Sequence, residues 1–192
     1  EKIIIESIRN KTVLRIQDSF VFSKTGDIQN PDHGKNLARL IAGFEALRNI
    51  TSLVLTHNNL GAEGVLALAK SPILTKLVAL HLGSNYLGDE GAKIIAGASS
   101  FAAVEDLNLE CNGIGAEGAK ALACSPYLTH ITTLNLVDNK IGDEGAMAIA
   151  ESDTFANLVY LHLGGNRIKS EAAKQALRES KKLAKLKTLK VF

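Results

Sequence analysis

The sequence contains no tryptophan, one methionine, two cysteines and three prolines in 192 residues. Two cysteines do not make the disulfide framework that staples a small secreted fold, so a reducing compartment is expected. Charge of one sign is also lacking. The formal net charge is +2, which gives no global attraction to nucleic acid or to an anionic membrane. No uninterrupted apolar run is long enough to span a bilayer. The opening EKIIIESIRNK has neither a basic start ahead of a long apolar core nor a small-residue cleavage site, so no signal peptide is read there. An initiator methionine is missing, as in a fragment of a longer protein. What remains, 46% hydrophobic and 22% charged residues, is ordinary for a soluble globular chain. The length suits one domain or a short repeat array.

Repetition is what the sequence has in abundance. Starting at Leu53, Leu80, Leu107, Leu134 and Leu161, spaced by 27, run LVLTHNNLGAEGVLALA, LHLGSNYLGDEGAKIIA, LNLECNGIGAEGAKALA, LNLVDNKIGDEGAMAIA and the degenerate LHLGGNRIKSEAAKQAL. A sixth start, Leu189, follows after 28. A missed repeat miscalls a whole fold, so this register governs the rest of the reading. Each copy reads LxLxxNxL, then glycine, a small or acidic residue, glutamate, glycine and an alanine-rich stretch. This pattern resembles the leucine-rich repeat of the ribonuclease-inhibitor-like class, and GAKALA at Gly118–Ala123 resembles the GALA-type repeats of bacterial effectors. The resemblance covers the chain from Ile50 onward. It implies a right-handed curved α/β solenoid, with parallel strands on the concave face and helices on the convex face.

Elementary geometry leads to the same fold. Leu53 and Leu55 alternate with Val54, so an extended chain points both leucines to one face. One repeat cannot bury that face alone, whereas strands stacked about 4.8 Å apart form a continuous core. Val65, Leu68 and Ala69, like Ala119, Leu122 and Ala123, follow the i, i+3, i+4 spacing of a helix facing that core. Leu74, Phe101, Leu128 and Phe155 form a further core column. The single domain 1–192 divides into an N-terminal cap and irregular first repeat (1–49), five repeats (50–185) and a terminal strand (186–192).

Glycines in register read as architecture rather than as a phosphate cradle. Gly115 aligns with Gly61, Gly88 and Gly142 at a sharp turn where positive φ is expected. Gly118 aligns with Gly64, Gly91 and Gly145 in the first helical turn, where glycine costs about 1 kcal/mol relative to alanine. Close helix packing would offset that cost. Because Ala172 holds the matching place in repeat five, Gly118→Ala is expected to cost little and Gly118→Leu several kcal/mol. Glu63, Glu90, Glu117, Glu144 and Glu171 suit the positive ends of helix macrodipoles. Helices 8–10 Å apart hold adjacent glutamates too far apart to share a metal ion. Asn58, Asn85, Asn112, Asn139 and Asn166 are expected to satisfy backbone groups of neighbouring turns. GAEG and SPxLT alternate with GDEG and FA, a doubled period of 54.

The ends depart from the repeat. Val13–Ile16 reads as a strand and Leu37–Leu47 as a long amphipathic helix, with KIIIESI beside them. The insertion over 18–34 reads as part of a cap, with a binding loop as the alternative. The C-terminal Lys174, Arg178, Lys181, Lys182 and Lys185 read as a solvated helix face, because no aromatic residues interleave to stack bases. Leu189–Phe192 is expected to be an exposed sheet edge, guarded by Lys187 and Lys190.

Function is therefore expected on the strand face that the leucines do not use. The candidate partner-binding residues are His81, Asp106, Asn108, Glu110, Asn135, Asp138, Tyr160 and His162. Their columns vary from repeat to repeat while the scaffold columns stay constant. The carboxylates favour a basic protein partner, and Tyr160 is the best anchor, burying a large ring with few rotamers to freeze. Catalysis is not read here. His81 and His162 stand three strands apart, about 14 Å at the sheet spacing, and cannot share a zinc ion. Cys111 lies in a different column from His81, which makes a nucleophile–base pair doubtful. Cys124 reads as a small packed apolar group, and both thiols are expected to be free. The reading is a monomeric, non-enzymatic protein-interaction module without cofactor, metal, nucleic acid or membrane. It is cytoplasmic, or delivered into a host cytoplasm if it is a bacterial effector. The alternatives from other classes are the substrate-recognition part of a ubiquitin-ligase adaptor and a regulator of a small GTPase.

Overall fold

The computed structural model describes residues 4–8, 11–16 and 32–191. The repeat period becomes an alternation of strand and helix: β1 (Ile4–Ile8), β2 (Lys11–Arg15), α1 (His33–Gly43), β3 (Ile50–Val54), α2 (Gly61–Ala69), β4 (Ala79–His81), α3 (Gly88–Ala96), β5 (Asp106–Asn108), α4 (Ala116–Ala123), β6 (Thr133–Asn135), α5 (Gly142–Ala150), β7 (Tyr160–His162), α6 (Glu171–Arg178) and β8 (Thr188–Lys190). All strands join one sheet in sequence order. From β2 onward every pair is parallel, and Leu53, Leu80, Leu107, Leu134, Leu161 and Leu189 stand in one row. The all-parallel expectation fails only at β1, which runs antiparallel to β2. Helices need 8–10 Å between axes and strands about 4.8 Å. The stack therefore bends into a solenoid with the strands on its inner, concave face.

The leucines of the repeat are withdrawn from solvent. Leu53, Leu55, Leu80, Leu82, Leu107, Leu109, Leu134, Leu136, Leu161 and Leu163 are each 0% exposed, as are Leu74, Phe101, Leu128 and Phe155. The expected helix over Leu37–Leu47 is two pieces. α1 stops at Gly43, Phe44 is extended, and a single 3-10 turn follows at Glu45–Leu47. The insertion over 18–34 lies almost entirely outside the described residues.

The asparagine column closes every turn onto the next. Each buried side chain works in both directions. Asn112 accepts from the Asn85 N–H (2.9 Å) and donates to Leu82 O and Glu110 O, while its own N–H donates to Asn139 Oδ1 (3.0 Å). Asn85 accepts from the Asn58 N–H and donates to Leu55 O, Asn139 donates to Leu109 O, Asn58 donates to Ile16 O, and Asn166 donates to Leu136 O, Leu163 O and Gly164 O. A second ladder ties the helix ends. The hydroxyls of Ser71, Ser100, Ser125, Ser152 and Ser180 donate to the carbonyls of Ala42, Ala69, Ala96, Ala123 and Ala150. These carbonyls lie at helix C-termini, where the last four have no intrahelical donor.

The 54-residue alternation has a physical cause in Asp89 and Asp143. The carboxylate of Asp89 reaches forward to accept from the N–H groups of Gly115 (2.6 Å) and Gly118 (2.9 Å) at the start of α4. Asp143 accepts from Lys169 (2.7 Å) and Ser170 (3.0 Å) at the start of α6. Each supplies from the preceding repeat the acceptor that a helix N-terminus lacks. The odd repeats carry Ala62 and Ala116 at this place and make no such bond.

Two glycine expectations change. Gly61, Gly88 and Gly142 have positive φ, but Gly115 has φ −96° and caps α4 in an extended conformation. At Gly118 a methyl group would lie 2.9 Å from Ala92 Cβ and 2.7 Å from both Asp89 Oδ1 and Ile114 Cγ2. The helices do crowd there, and more tightly than alanine tolerates. The low cost expected for Gly118→Ala is therefore wrong. Ala172 is possible because it is exposed and because Asp143 bonds to residues 169 and 170, leaving the N–H of residue 172 aside.

Candidate functional site: the concave strand face

The outward side chains of β4 to β8 and of the turns after them form one polar surface, with neighbours 27 residues apart held side by side by the ladder. All eight residues expected from the sequence lie on it, and they form local pairs. His81 Nε2 stands 3.0 Å from Asp106 Oδ2. Asn108 Oδ1 accepts from the Glu110 N–H (2.9 Å), and Asn135 Oδ1 from the Val137 N–H (3.1 Å). These two asparagines therefore hold down the strand ends as well as facing solvent. Asn135 Nδ2 donates to Glu110 Oε2 (2.8 Å), which fixes the Glu110 carboxylate across two repeats.

Farther along the array, Tyr160 meets His162 edge to face with centroids 6.3 Å apart, and Lys190 Nζ stands 5.6 Å from the centre of the Tyr160 ring. Such a cation over a ring holds the tyrosine in place. Burial pushes the His162 imidazole below its ordinary value and Lys190 adds to this, while Asp138 and Glu110 act in the opposite direction. The Cys111 thiol is pushed up, first by desolvation and then by Asp138, with a weaker contribution of the same sign from Glu110; a hydrogen bond with Ser84 opposes them. Its Sγ lies 3.9 Å from Asp138 Oδ2.

Two features escaped the sequence reading. Gly83 and Gly165 occupy outward columns as seats for acidic neighbours. A Cβ at Gly83 would lie 2.9 Å from Glu110 Cγ, and one at Gly165 would collide with Asp138 Oδ1. The second feature is strain. His57, Ser84, Cys111 and Asp138 all adopt left-handed φ between 52° and 59°, a region that disfavours a Cβ by roughly 1–2 kcal/mol. Backbone bonds impose it: the N–H groups of these residues donate to Gly83, Glu110, Val137 and Gly164 carbonyls. Cys111 and Asp138 are thus presented by a turn that their own side chains do not favour.

Among the described residues, no group of three histidine, cysteine, aspartate or glutamate side chains could hold a metal ion. His81 is engaged with Asp106, and the raised thiol of Cys111 is the reverse of an activated nucleophile. Both cysteines are free and both are exposed, so Cys124 is not the packed apolar group expected of it. Among the described residues no helix is long and apolar enough to cross a membrane.

Comparison with known proteins agrees with the repeat register. Residues 46–69, 74–96, 104–123 and 127–150 match the family model described as Leucine Rich repeat. No curated protein sequence matches the chain. Among solved structures, an internalin (inlF) from Listeria monocytogenes is similar at 19% identity and a TM-score of 0.44, over 73% of this chain and 33% of that one. The chain spans about a third of that internalin's length.

Proposed function

We propose that this leucine-rich-repeat solenoid is a protein-binding module whose partner docks on the concave strand face, from β4 to β7. One observation carries the reading. The leucines that open each strand and the asparagines recur in every repeat and are spent on packing and backbone bonds, while the outward columns present a continuous, pre-positioned set of different side chains. Asp106, Glu110 and Asp138 give the middle of that face a negative character. This favours a basic partner and a salt-dependent encounter rate. Tyr160, steadied between His162 and Lys190, is the anchor best placed to bury a large area with little entropy lost.

The 27-residue period and the helices on the outer side support the ribonuclease-inhibitor-like class. The glycine–alanine helix starts support GALA-type repeats, and with them a role as a bacterial effector. Two exposed, unpaired thiols favour a reducing compartment. The test combines Asp106→Ala, Glu110→Ala and Tyr160→Ala. Circular dichroism confirms the fold, and affinity capture from lysate with wild type and variant then compares the proteins retained. A basic partner held by the wild type and lost by the folded variant is the expected result. Equal retention by both moves the site off this face.

A further inference from the structure

We infer that a notch on the rim of the concave face, between Tyr86 and Lys140 and over Gly113, seats an aromatic side chain of the basic partner. This rests on the reading that a protein docks on that face, and it names what sets the choice of partner. The repeat register puts Asn59, Tyr86, Gly113, Lys140 and Arg167 in one row, each between the buried asparagine of its repeat and the buried leucine or isoleucine that follows. The turns that carry the first three are tied together. The N–H groups of Gly61 and Gly88 donate to the Asn85 and Asn112 carbonyls of the next repeat (3.0 and 2.9 Å). Cys111 and Asp138 precede Gly113 and Lys140 by two residues, so the row borders the outward columns of the concave face.

Tyr86 is the member of this row that the fold does not explain. It is 76% exposed, the most of any large hydrophobic side chain among the described residues. No hydrogen bond or ring contact reaches it among those residues. Its backbone is also left-handed, at φ 57°, a region in which a bulky side chain is an outlier. Others in the row suit that conformation. Gly113 (φ 70°) has no Cβ, and Asn59 (φ 51°) has the short polar side chain that tolerates it. Arg167 (φ 59°) is exposed with its charge in water. A tyrosine here stabilises nothing within the chain. Laid against a partner, the same ring buries a large area with few rotamers to freeze.

The seat beside it is open. Gly113 is exposed, and a Cβ built on it would meet nothing within 4 Å. Tyr86 and Lys140 stand two repeats apart, about 10 Å at the sheet spacing. A ring stacked on both faces takes up about 7–8 Å, twice the contact distance between carbon atoms. Both walls are exposed side chains that can rotate to close the remainder. Tyr86 offers a ring for stacking, and Lys140 a cation for the opposite face. Lys140 has no carboxylate within ion-pairing distance among the described residues. An aromatic side chain uses both walls. A lysine or arginine in the notch would meet the charge of Lys140, and a carboxylate would leave the ring of Tyr86 without a partner. The face below the rim carries Glu110 and Asp138, so the residues that flank the aromatic are basic.

The experiment uses the full chain and labelled eight-residue lysine–glycine peptides with tryptophan, leucine or alanine at the centre, followed by fluorescence anisotropy. The chain has no tryptophan, so the emission of the peptide's indole reports its own surroundings. The tryptophan peptide is expected to bind about tenfold or more tightly than the alanine peptide, with leucine between them and a blue-shifted indole. Tyr86→Asn should bind tryptophan and alanine peptides alike, without the blue shift and with Tm equal or raised, because asparagine tolerates the turn. Gly113→Asn fills the seat with a residue that accepts the same backbone, and should also erase the preference while staying folded. The Asp106/Glu110/Tyr160 triple variant should weaken all three peptides yet keep their ratio, so a failure of the acidic face and a failure of the notch read differently. Equal affinity of the wild type for the tryptophan and alanine peptides overturns the notch. A lowered Tm for Tyr86→Asn with the preference intact also overturns it, and makes Tyr86 a packing residue. No binding of any peptide overturns the basic partner and the notch together.

Discussion

Replacing Gly118 with alanine adds one methyl group where α3 and α4 already touch. That methyl meets three atoms at 2.7–2.9 Å, and they differ in how far they can yield. Ile114 Cγ2 can rotate aside. Asp89 Oδ1 can withdraw, but it is the acceptor for the Gly115 and Gly118 N–H groups. Losing that cap costs about 1 kcal/mol. Ala92 Cβ is bonded directly to the α3 backbone and cannot move unless the helix does. Overpacking of this kind costs roughly 1–3 kcal/mol, while alanine in place of glycine returns about 1 kcal/mol of helix propensity. The balance is a loss of about 1–3 kcal/mol, which in a chain of this size lowers Tm by roughly 2–4 °C per kcal/mol. Thermal melts followed by circular dichroism read it directly. The second variant, Gly118→Ala with Ala92→Gly, removes the rigid contact and should recover part of the loss despite the added helix glycine. An unchanged or raised Tm for Gly118→Ala would refute the crowding argument. So would a double variant no more stable than the sum of its parts.

Asn112→Ala strips the acceptor from the Asn85 N–H and the donors to Leu82 O and Glu110 O. At 1–3 kcal/mol for each buried group left unpaired, a loss of about 3 kcal/mol or more is expected in a urea titration. His162 has a folded-state value below its unfolded one, so its share of stability is present above about pH 6.5 and is lost as pH falls below it. His162→Gln should flatten that acid limb, and Lys190→Ala should move the His162 NMR titration midpoint upward. Cys111 should react with iodoacetamide more slowly than Cys124 near neutral pH, because its thiol is pushed up. Asp138→Asn should speed it, and an unchanged rate would remove Asp138 as a cause.

The fold was legible because its determinants are periodic. Leucines two apart, asparagines 27 apart and small residues at helix spacing each demand one environment, and repetition leaves a single register in which all are met. The column of Asn58 to Asn166 could be assigned to backbone satisfaction from its position alone. The serine ladder was harder to see. Ser71, Ser125 and Ser152 keep the period, but Ser100 and Ser180 reach the same kind of carbonyl from places offset within their repeats. The glycines misled because one letter served different ends. Gly115 sits in register with Gly88 but is extended, with its N–H turned to the Asp89 carboxylate of the preceding repeat. On the concave face the candidate residues could be named, since strand alternation decides which side chains point outward. Their pairings could not. Whether Glu110 turns to Asn135, or leans over Gly83, depends on side-chain torsions that no spacing encodes.

The forward reach of Asp89 and Asp143 divides the array into unequal joints. Repeat two is fastened to three and repeat four to five by a carboxylate inside the interface. The joints between one and two and between three and four lack that carboxylate; beyond the shared asparagine and serine ladders, the latter adds the Lys140 N–H to Ile114 O bond (2.7 Å) and the surface pair of Lys120 and Glu144, the second a kind of contact worth little in water. In a solenoid whose stability is a sum of repeats and the interfaces between them, the weakest interface decides where the stack parts under load. Pulled from its ends, the chain should yield first at the joints without that carboxylate, between α2 and α3 and between α4 and α5. It would then come apart as two-repeat blocks, the same 54-residue unit that the sequence writes twice.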